Sequence, residues 1–355
     1  MTWESDSLFS VRDKVVAITG AAGIIYGAIA KGLAARGAKV ALLDLLADKA
    51  QEVADQIKKD GGEAIALPCN VLDMTSIQAA LDGVIKAFGR VDVLINGAGG
   101  NRPGASVPRD GVFTDLSVDE IDKVFALNYK GTLLPTQIFC KYFATQGKGS
   151  IVNTSSMSAI LPLTNVIGYS NAKAAVTNLT RWLAVQVKVD FPKADIRVNE
   201  IAPGFLDTTQ NHRLLFEEDD KTLTPRGRSI IGKTPFGRFG DPQELLGPII
   251  VLISDAGSFL HGVTIQWMVG SPSTRGSGRW TRSAEPHLPS PSPRAERGRW
   301  TEKAGVWQRW GEVLTRGTGA RLLSVPVGRR TSVCARSSKA AGSSRPSRCS
   351  RRRTF

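Results

Sequence analysis

The chain has 355 residues, enough for one large or two modest domains, and a formal net charge of +14. That charge sits at one end. Residues 271–355 hold nineteen Arg and Lys against four Glu, whereas residues 1–270 are near neutral at −1. No segment has the roughly twenty apolar residues that span a bilayer, since Leu245–Ile253 is too short and holds Gly and Pro. The N-terminus carries acids and lacks the apolar core of a secretory signal.

In chain order, Lys14–Thr19 is a short β-branched run that predicts a buried strand. It enters the Gly-rich turn Gly20-Ala-Ala-Gly23-Ile-Ile-Tyr-Gly27, then a helix pattern over 28–36 closed by Gly37, then a second strand over Lys39–Asp44. Strand, Gly-rich turn, helix, strand and terminal acid make a βαβ dinucleotide unit. The glycines admit a pyrophosphate to the helix N-terminus, where amides and dipole favour anions. Asp44 then stands where a carboxylate accepts from adenosine ribose hydroxyls and repels a 2′-phosphate, which favours NAD(H) over NADP(H). The same residue also reads as a turn or helix-capping aspartate.

The alternation continues: helix 47–60, strand 64–70, helix 74–88, strand 91–96, a long helix 117–146 with a kink at Pro135, strand 150–155, helix 168–190 and strand 196–202. An irregular stretch runs from Pro203-Gly204 to about 235, followed by a helix around 242–254 and a last strand near 262–269. This predicts an α/β protein with one parallel sheet and helices on both faces.

Within that frame lies a candidate proton-transfer set. Ser156 stands thirteen residues before Tyr169, and Lys173 follows four after it. On a helix, Tyr169 and Lys173 share a face. The ammonium is then expected to pull the phenol below its usual range, and the serine hydroxyl to hold a carbonyl oxygen. Alone, Tyr-x-x-x-Lys also describes two surface residues of an amphipathic helix. The upstream nucleotide unit weighs against that.

These motifs, in this order over about residues 8–265, resemble the short-chain dehydrogenase/reductase family. The further segments Ala98-Gly-Gly-Asn-Arg-Pro103, Gly131–Gln137, Ala202–Phe205, Gln210–Arg213 and Thr234–Gly240 are similar to its D-mannonate oxidoreductase, or fructuronate reductase-like, branch. The resemblance implies a single Rossmann-type doubly wound sheet over 1–270. It implies catalytic roles for Asn128, Ser156, Tyr169 and Lys173. Cofactor contacts are implied from Thr19, Gly20, Gly23, Ile25, Asp44, Asn70, Asn96, Ala98, Tyr169, Lys173, Pro203, Gly204 and Thr208. In the family's mechanism Tyr169 exchanges the proton, Ser156 orients the carbonyl, Lys173 serves the phenol and the nicotinamide ribose, and Asn128 holds a relay water. The expected activity is NAD(H)-dependent interconversion of a secondary alcohol and a ketone in a sugar acid such as D-mannonate/D-fructuronate. Gluconate-type or 3-oxoacyl ketones are the alternative substrates. A homo-oligomer, dimer or tetramer, is implied as well.

The chain departs from the commonest family turn, placing Ile24 and Tyr26 at glycine positions, where bulk threatens the pyrophosphate. Asn70 replaces an aspartate beside the adenine. For a substrate carboxylate and hydroxyls the candidates are Asn101, Arg102, Gln210, Asn211 and Arg213, on loops after strand C-termini. Arg102 and Arg213 read equally as solvated surface arginines.

Cys69, Cys140, Cys334 and Cys349 show no disulfide or ligand spacing, and His212, His261 and His287 show no metal pattern. The expectation is free thiols in a cytoplasmic protein without a metal. Residues 271–355, rich in Arg, Ser, Pro and Gly, are expected to be disordered. They read as a frameshifted or aberrant C-terminus, as a solvated linker or tail without function, or as a basic segment binding nucleic acid nonspecifically, and their charge is expected to weaken assembly. The last reading supplies the non-enzymatic alternative, a Rossmann protein that binds nucleic acid through its tail.

Overall fold

The computed structural model describes residues 5–108, 111–208, 212–232, 234 and 236–267. The chain divides into two units, Met1–Arg279 and Trp280–Phe355, and every described residue belongs to the first. The tail expected over 271–355 lies outside the described residues.

After a short helix α1 (Ser5–Leu8), strands and helices alternate: β1 (Val15–Thr19), α2 (Ile24–Ala34), β2 (Lys39–Asp44), α3 (Ala47–Lys59), β3 (Glu63–Pro68), α4 (Met74–Phe88) and β4 (Val93–Asn96). Then come α5 (Val118–Phe125), α6 (Gly131–Gln146), β5 (Lys148–Thr154), α7 (Ile167–Asp190) and β6 (Asp195–Pro203). Short helices α8 (His212–Leu215) and α9 (Pro225–Gly232) precede α10 (Leu246–Ile253) and β7 (Thr264–Trp267). The seven strands pair in parallel in the order β3-β2-β1-β4-β5-β6-β7. The direction of winding reverses between β1 and β4, which opens a crevice at the strand C-termini.

The central strands are apolar along their length because helices cover both faces. One core packs Ile29, Leu33, Ile249 and Leu252 against Ile18 and Val152; the other packs Ile77, Leu81, Phe139, Phe143 and Val187 against Leu94 and Ile151. At the C-terminal end of the sheet the second face turns polar. Register aligns Thr19 with Asn96, Asn96 with Asn153, Asn153 with Glu200 and Glu200 with Thr264. The first four are essentially inaccessible to solvent.

One predicted helix is corrected. The segment 117–146 is not a single helix kinked at Pro135, which lies inside regular α6. It is interrupted earlier, at Ala126–Lys130, by a π turn in which Gly131 N–H reaches back to Ala126 O. The wider turn carries Asn128 into the interior, where it is fully buried. Strand β3 also ends at Pro68, so Asn70 stands in the turn before α4. Among the described residues no helix is long and apolar enough to cross a membrane, and no cluster of His, Cys, Asp and Glu could hold a metal ion.

Candidate active site

The Gly-rich turn follows β1 directly. Gly20 has φ +70°, and a Cβ there would lie 2.7 Å from the Ala98 backbone, so no other residue fits. Gly23 is the extended residue before α2, and no side chain caps the helix. The first amides of α2 thus point into the crevice available to an anion, and the residues present fit a pyrophosphate. Thr19 Oγ braces the facing loop by accepting from Gly97 N–H (3.1 Å) and Ala98 N–H (3.2 Å).

Tyr26 does not obstruct this turn. Its ring is buried against Gly97, where a Cβ would come within 2.6 Å of the ring's Cγ. Its hydroxyl bonds Thr154 Oγ, which itself donates to Asn96 O at 2.6 Å; Tyr26 is therefore the donor. Burial pushes the Tyr26 phenol up, against the pull of that hydrogen bond. The large residue on the helix and the missing side chain at Gly97 are reciprocal. Ile24 is exposed, while Ile25 is half-buried.

Asp44, at the end of β2, acts as a turn-holding aspartate. Its Oδ2 accepts from Ala22 N–H and its Oδ1 from Leu46 N–H, each at 2.9 Å. The carboxylate thereby ties the Gly-rich turn to the start of α3. Asn70 Oδ1 takes Leu72 N–H at 3.0 Å, so its NH₂ is what remains to meet an adenine. Cys69 beside it is buried, and its thiol is pushed up to about 12 by burial, with Asp44 and Asp73 adding to the shift.

Asn96 is an internal brace. Its Nδ2 donates to Thr136 Oγ and Asn153 Oδ1, both at 2.9 Å. Asn128 clamps the loop after β4: Nδ2 donates to Gly100 O (2.7 Å) and Val124 O (2.8 Å), and Oδ1 accepts from Gly100 N–H (3.1 Å). Asn128 Oδ1 and Lys173 Nζ both face Gly99.

Helix α7 presents Tyr169 and Lys173 one turn apart. Lys173 Nζ donates to Thr154 O at 2.8 Å and sits 5.6 Å from the centre of the Tyr169 ring. Ser156, after β5, accepts from Ser158 N–H at 3.2 Å, and its hydroxyl acts on the Tyr169 phenol. Lys173 is only 3 % exposed, and burial lowers its ammonium to about 8, with Glu200 opposing the drop. The phenol differs from expectation. Burial raises Tyr169 above its usual value, and it is Ser156 that pulls it back.

The remaining candidates are less convergent. Gly204 N–H donates to Trp267 O (2.8 Å), which pins the end of β6 to β7, and Thr208 O accepts from His212 N–H at 2.8 Å. Asn101 Nδ2 donates to Ser106 Oγ (2.8 Å). Arg102 is paired with Glu120 at 2.8 Å, and Glu120 also holds Lys123 at 2.7 Å. A substrate carboxylate would compete with Glu120 for Arg102. Gln210, Asn211 and the side chain of Arg213 lie outside the described residues.

Sequence reasoning passed over Tyr26 as a structural donor and over Glu200. The second left a signal: a carboxylate in the middle of the strand Ile196–Ala202, in phase with Val198. It also passed over the role of His212, which bridges Asp207 (2.8 Å) and Asp220 (3.3 Å) and stacks on Phe216.

A doubly wound sheet with a glycine cradle at its switch point, a terminal carboxylate and a half-buried Ser–Tyr pair beside a buried lysine defines a nicotinamide-dinucleotide dehydrogenase. Residues 14–219 match the family model described as short chain dehydrogenase. An uncharacterized oxidoreductase of Haemophilus influenzae is 43% identical over 267 residues, covering 72% of this chain and 92% of its own length. The 5-keto-D-gluconate 5-reductase of Escherichia coli K12 is 32% identical over 257 residues, covering 72% and 94%. Among solved structures, a provisionally assigned D-mannonate oxidoreductase from Haemophilus influenzae, with bound NAD, superposes with a TM-score of 0.66 at 43% identity, over 72% of this chain and 94% of that one. The chain belongs to the short chain dehydrogenase family and is an oxidoreductase acting on CH–OH groups with NAD(P).

Proposed function

We propose that the protein interconverts a secondary alcohol and a ketone in a sugar acid of the D-mannonate/D-fructuronate class, using NAD(H) in preference to NADP(H). The observation that carries the chemistry is the convergence of Ser156, Tyr169 and Lys173 at the C-terminal edge of β5, beside the glycine cradle. The Haemophilus influenzae neighbour supports the substrate class, and the Asp44 carboxylate supports the cofactor preference.

The dinucleotide, when bound, supplies or accepts the hydride. Thr19, Gly20, Gly23, Ile25, Asp44, Asn70, Asn96, Ala98, Pro203, Gly204 and Thr208 would line its site. In carbonyl reduction the Tyr169 hydroxyl gives its proton to the carbonyl oxygen while Ser156 donates a hydrogen bond to that oxygen; oxidation reverses the transfer. The Lys173 ammonium stabilises the phenolate so formed. Asn128 holds the Gly99–Gly100 loop in place beside Lys173. Residues 1–270 form the catalytic domain and assemble as a homo-oligomer.

A second reading, reduction of a 5-keto-gluconate, draws on the Escherichia coli relative. The test is NADH- and NADPH-linked turnover of D-fructuronate and 5-keto-D-gluconate by the full chain. Faster NADH oxidation with D-fructuronate supports the proposal. Preference for 5-keto-D-gluconate selects the second reading, and turnover of neither removes both.

A further inference from the structure

Tyr26 stands in the first turn of α2, and its two ends serve different parts of the crevice. No side chain caps that helix, and the first amide to turn back is Gly27 N–H, which donates to Gly23 O at 2.8 Å. The amides of Ile24, Ile25 and Tyr26 precede it and belong to the set that serves an anion. The Tyr26 side chain is 4% exposed. Its ring lies under the loop after β4, where a Cβ on Gly97 would come within 2.6 Å of the ring's Cγ.

A phenylalanine would fill the same space, so the hydroxyl is the informative atom. A buried hydroxyl is costly unless it is bonded. This one donates to Thr154 Oγ, which donates in turn to Asn96 O at 2.6 Å. Thr154 is the last residue of β5, and its carbonyl accepts from Lys173 Nζ at 2.8 Å. The side chain of Thr154 is thus fixed by two hydrogen bonds, while its main chain holds the ammonium. A glycine at position 26 could make none of these contacts.

We propose that Tyr26 is a positioning residue for Lys173: its hydroxyl fixes Thr154, and Thr154 O fixes the ammonium that serves proton transfer at Tyr169. This rests on the reading of Tyr169 and Lys173 given above. One side chain then spans from the turn that receives the pyrophosphate to the proton-transfer set. Loss of the hydroxyl leaves the amides of α2 and the packing against Gly97 as they are. Cofactor binding should therefore survive, and the chemical step should slow.

The experiment is Tyr26→Phe in the full chain, made in the unaltered and the Thr154→Val backgrounds. It is read by NADH titration, by KM for the keto acid and by single-turnover reduction. In the unaltered background the single-turnover rate should fall by roughly three- to tenfold, the worth of one hydrogen bond, with NADH affinity and KM kept. In Thr154→Val, where the acceptor is gone, Tyr26→Phe should slow the reaction no further. An unchanged rate in the unaltered background would overturn the proposal, whether or not NADH affinity drops. Equal slowing in both backgrounds would overturn it too, because the effect would not run through Thr154. If Thr154→Val does not fold, the nitrogen NMR resonance of Lys173 Nζ, assigned by its absence from Lys173→Met, decides. It should move in Tyr26→Phe, and an unmoved signal counts against the strut. Near-normal turnover by Tyr169→Phe would instead remove the reading beneath it. A slow Tyr169→Phe enzyme beside a Tyr26→Phe enzyme at full rate would remove the strut alone.

Discussion

The nucleotide half and the proton-transfer half of this site are built from different materials. Around β1, α2 and β2 the contacts are made by backbone: a left-handed Gly20, uncapped amides of α2, and one carboxylate holding Ala22 and Leu46 N–H. Around β5, β6 and α7 they are made by buried side chains, from Asn96 through Asn153 and Thr180 to Lys173 and Glu200. The first half tolerates changes of side chain, as Ile24 and Tyr26 at glycine positions attest, but not of backbone shape. The second tolerates little change of side chain, because Asn96, Asn153, Thr180 and Lys173 each hold a buried neighbour by a named hydrogen bond.

Four changes would break or sharpen that contrast. The largest effect is expected from Lys173→Met. It deletes the buried cation beside the phenol and the bond to Thr154 O, so turnover should fall by roughly 10²–10⁴-fold. Steady-state kinetics and NADH titration check it, and both should suffer. Gly20→Ala comes next. It forces a Cβ to within 2.7 Å of Ala98 at φ +70°, so the crevice must open. The left-handed conformation alone costs about 1–2 kcal/mol. NADH affinity should drop at least tenfold in fluorescence titration while the pH profile of any residual turnover stays in place.

Asp44→Ala should act more mildly and on one ratio. It removes repulsion of a 2′-phosphate and loosens the turn. The NADH KM should therefore rise, and the NADH-over-NADPH preference should narrow by about tenfold, the worth of one charge-assisted hydrogen bond. The smallest effect lies in the surface segment 205–240. Asp207 and, less strongly, Asp220 raise His212 above its ordinary value. Such a tie is fully present below about pH 6.5, the unpaired histidine value. It is lost as pH rises through the elevated folded value. Limited proteolysis of this segment should accelerate over that alkaline step, and His212→Asn should abolish the pH dependence without changing the rest of the protein.

What the sequence disclosed follows the same division. The βαβ unit was legible because its strands are apolar runs bounded by glycine and Asp44, and β2 spans the residues predicted for it. Tyr169 and Lys173 were legible because helical spacing alone sets them on one face. The π turn at Ala126–Lys130 was not, since Val118–Gln146 keeps a helical pattern throughout and Pro135 drew attention to the wrong turn. Nor was the fit of Tyr26 into the space left by Gly97, which joins residues 71 positions apart. The direction of the Tyr169 shift was misjudged for a related reason. Spacing reveals a neighbouring cation, but the burial that outweighs it is a property of the packed interior.

The central claim is that Tyr169 carries the proton on a separately built nucleotide platform, and Tyr169→Phe tests it most directly. The substitution keeps the ring and removes only the hydroxyl, so NADH should bind Tyr169→Phe as it binds the unaltered protein, while single-turnover reduction of the preferred keto acid should fall by roughly 10²–10⁴-fold. Reduction at a near-normal rate with NADH bound would contradict the account.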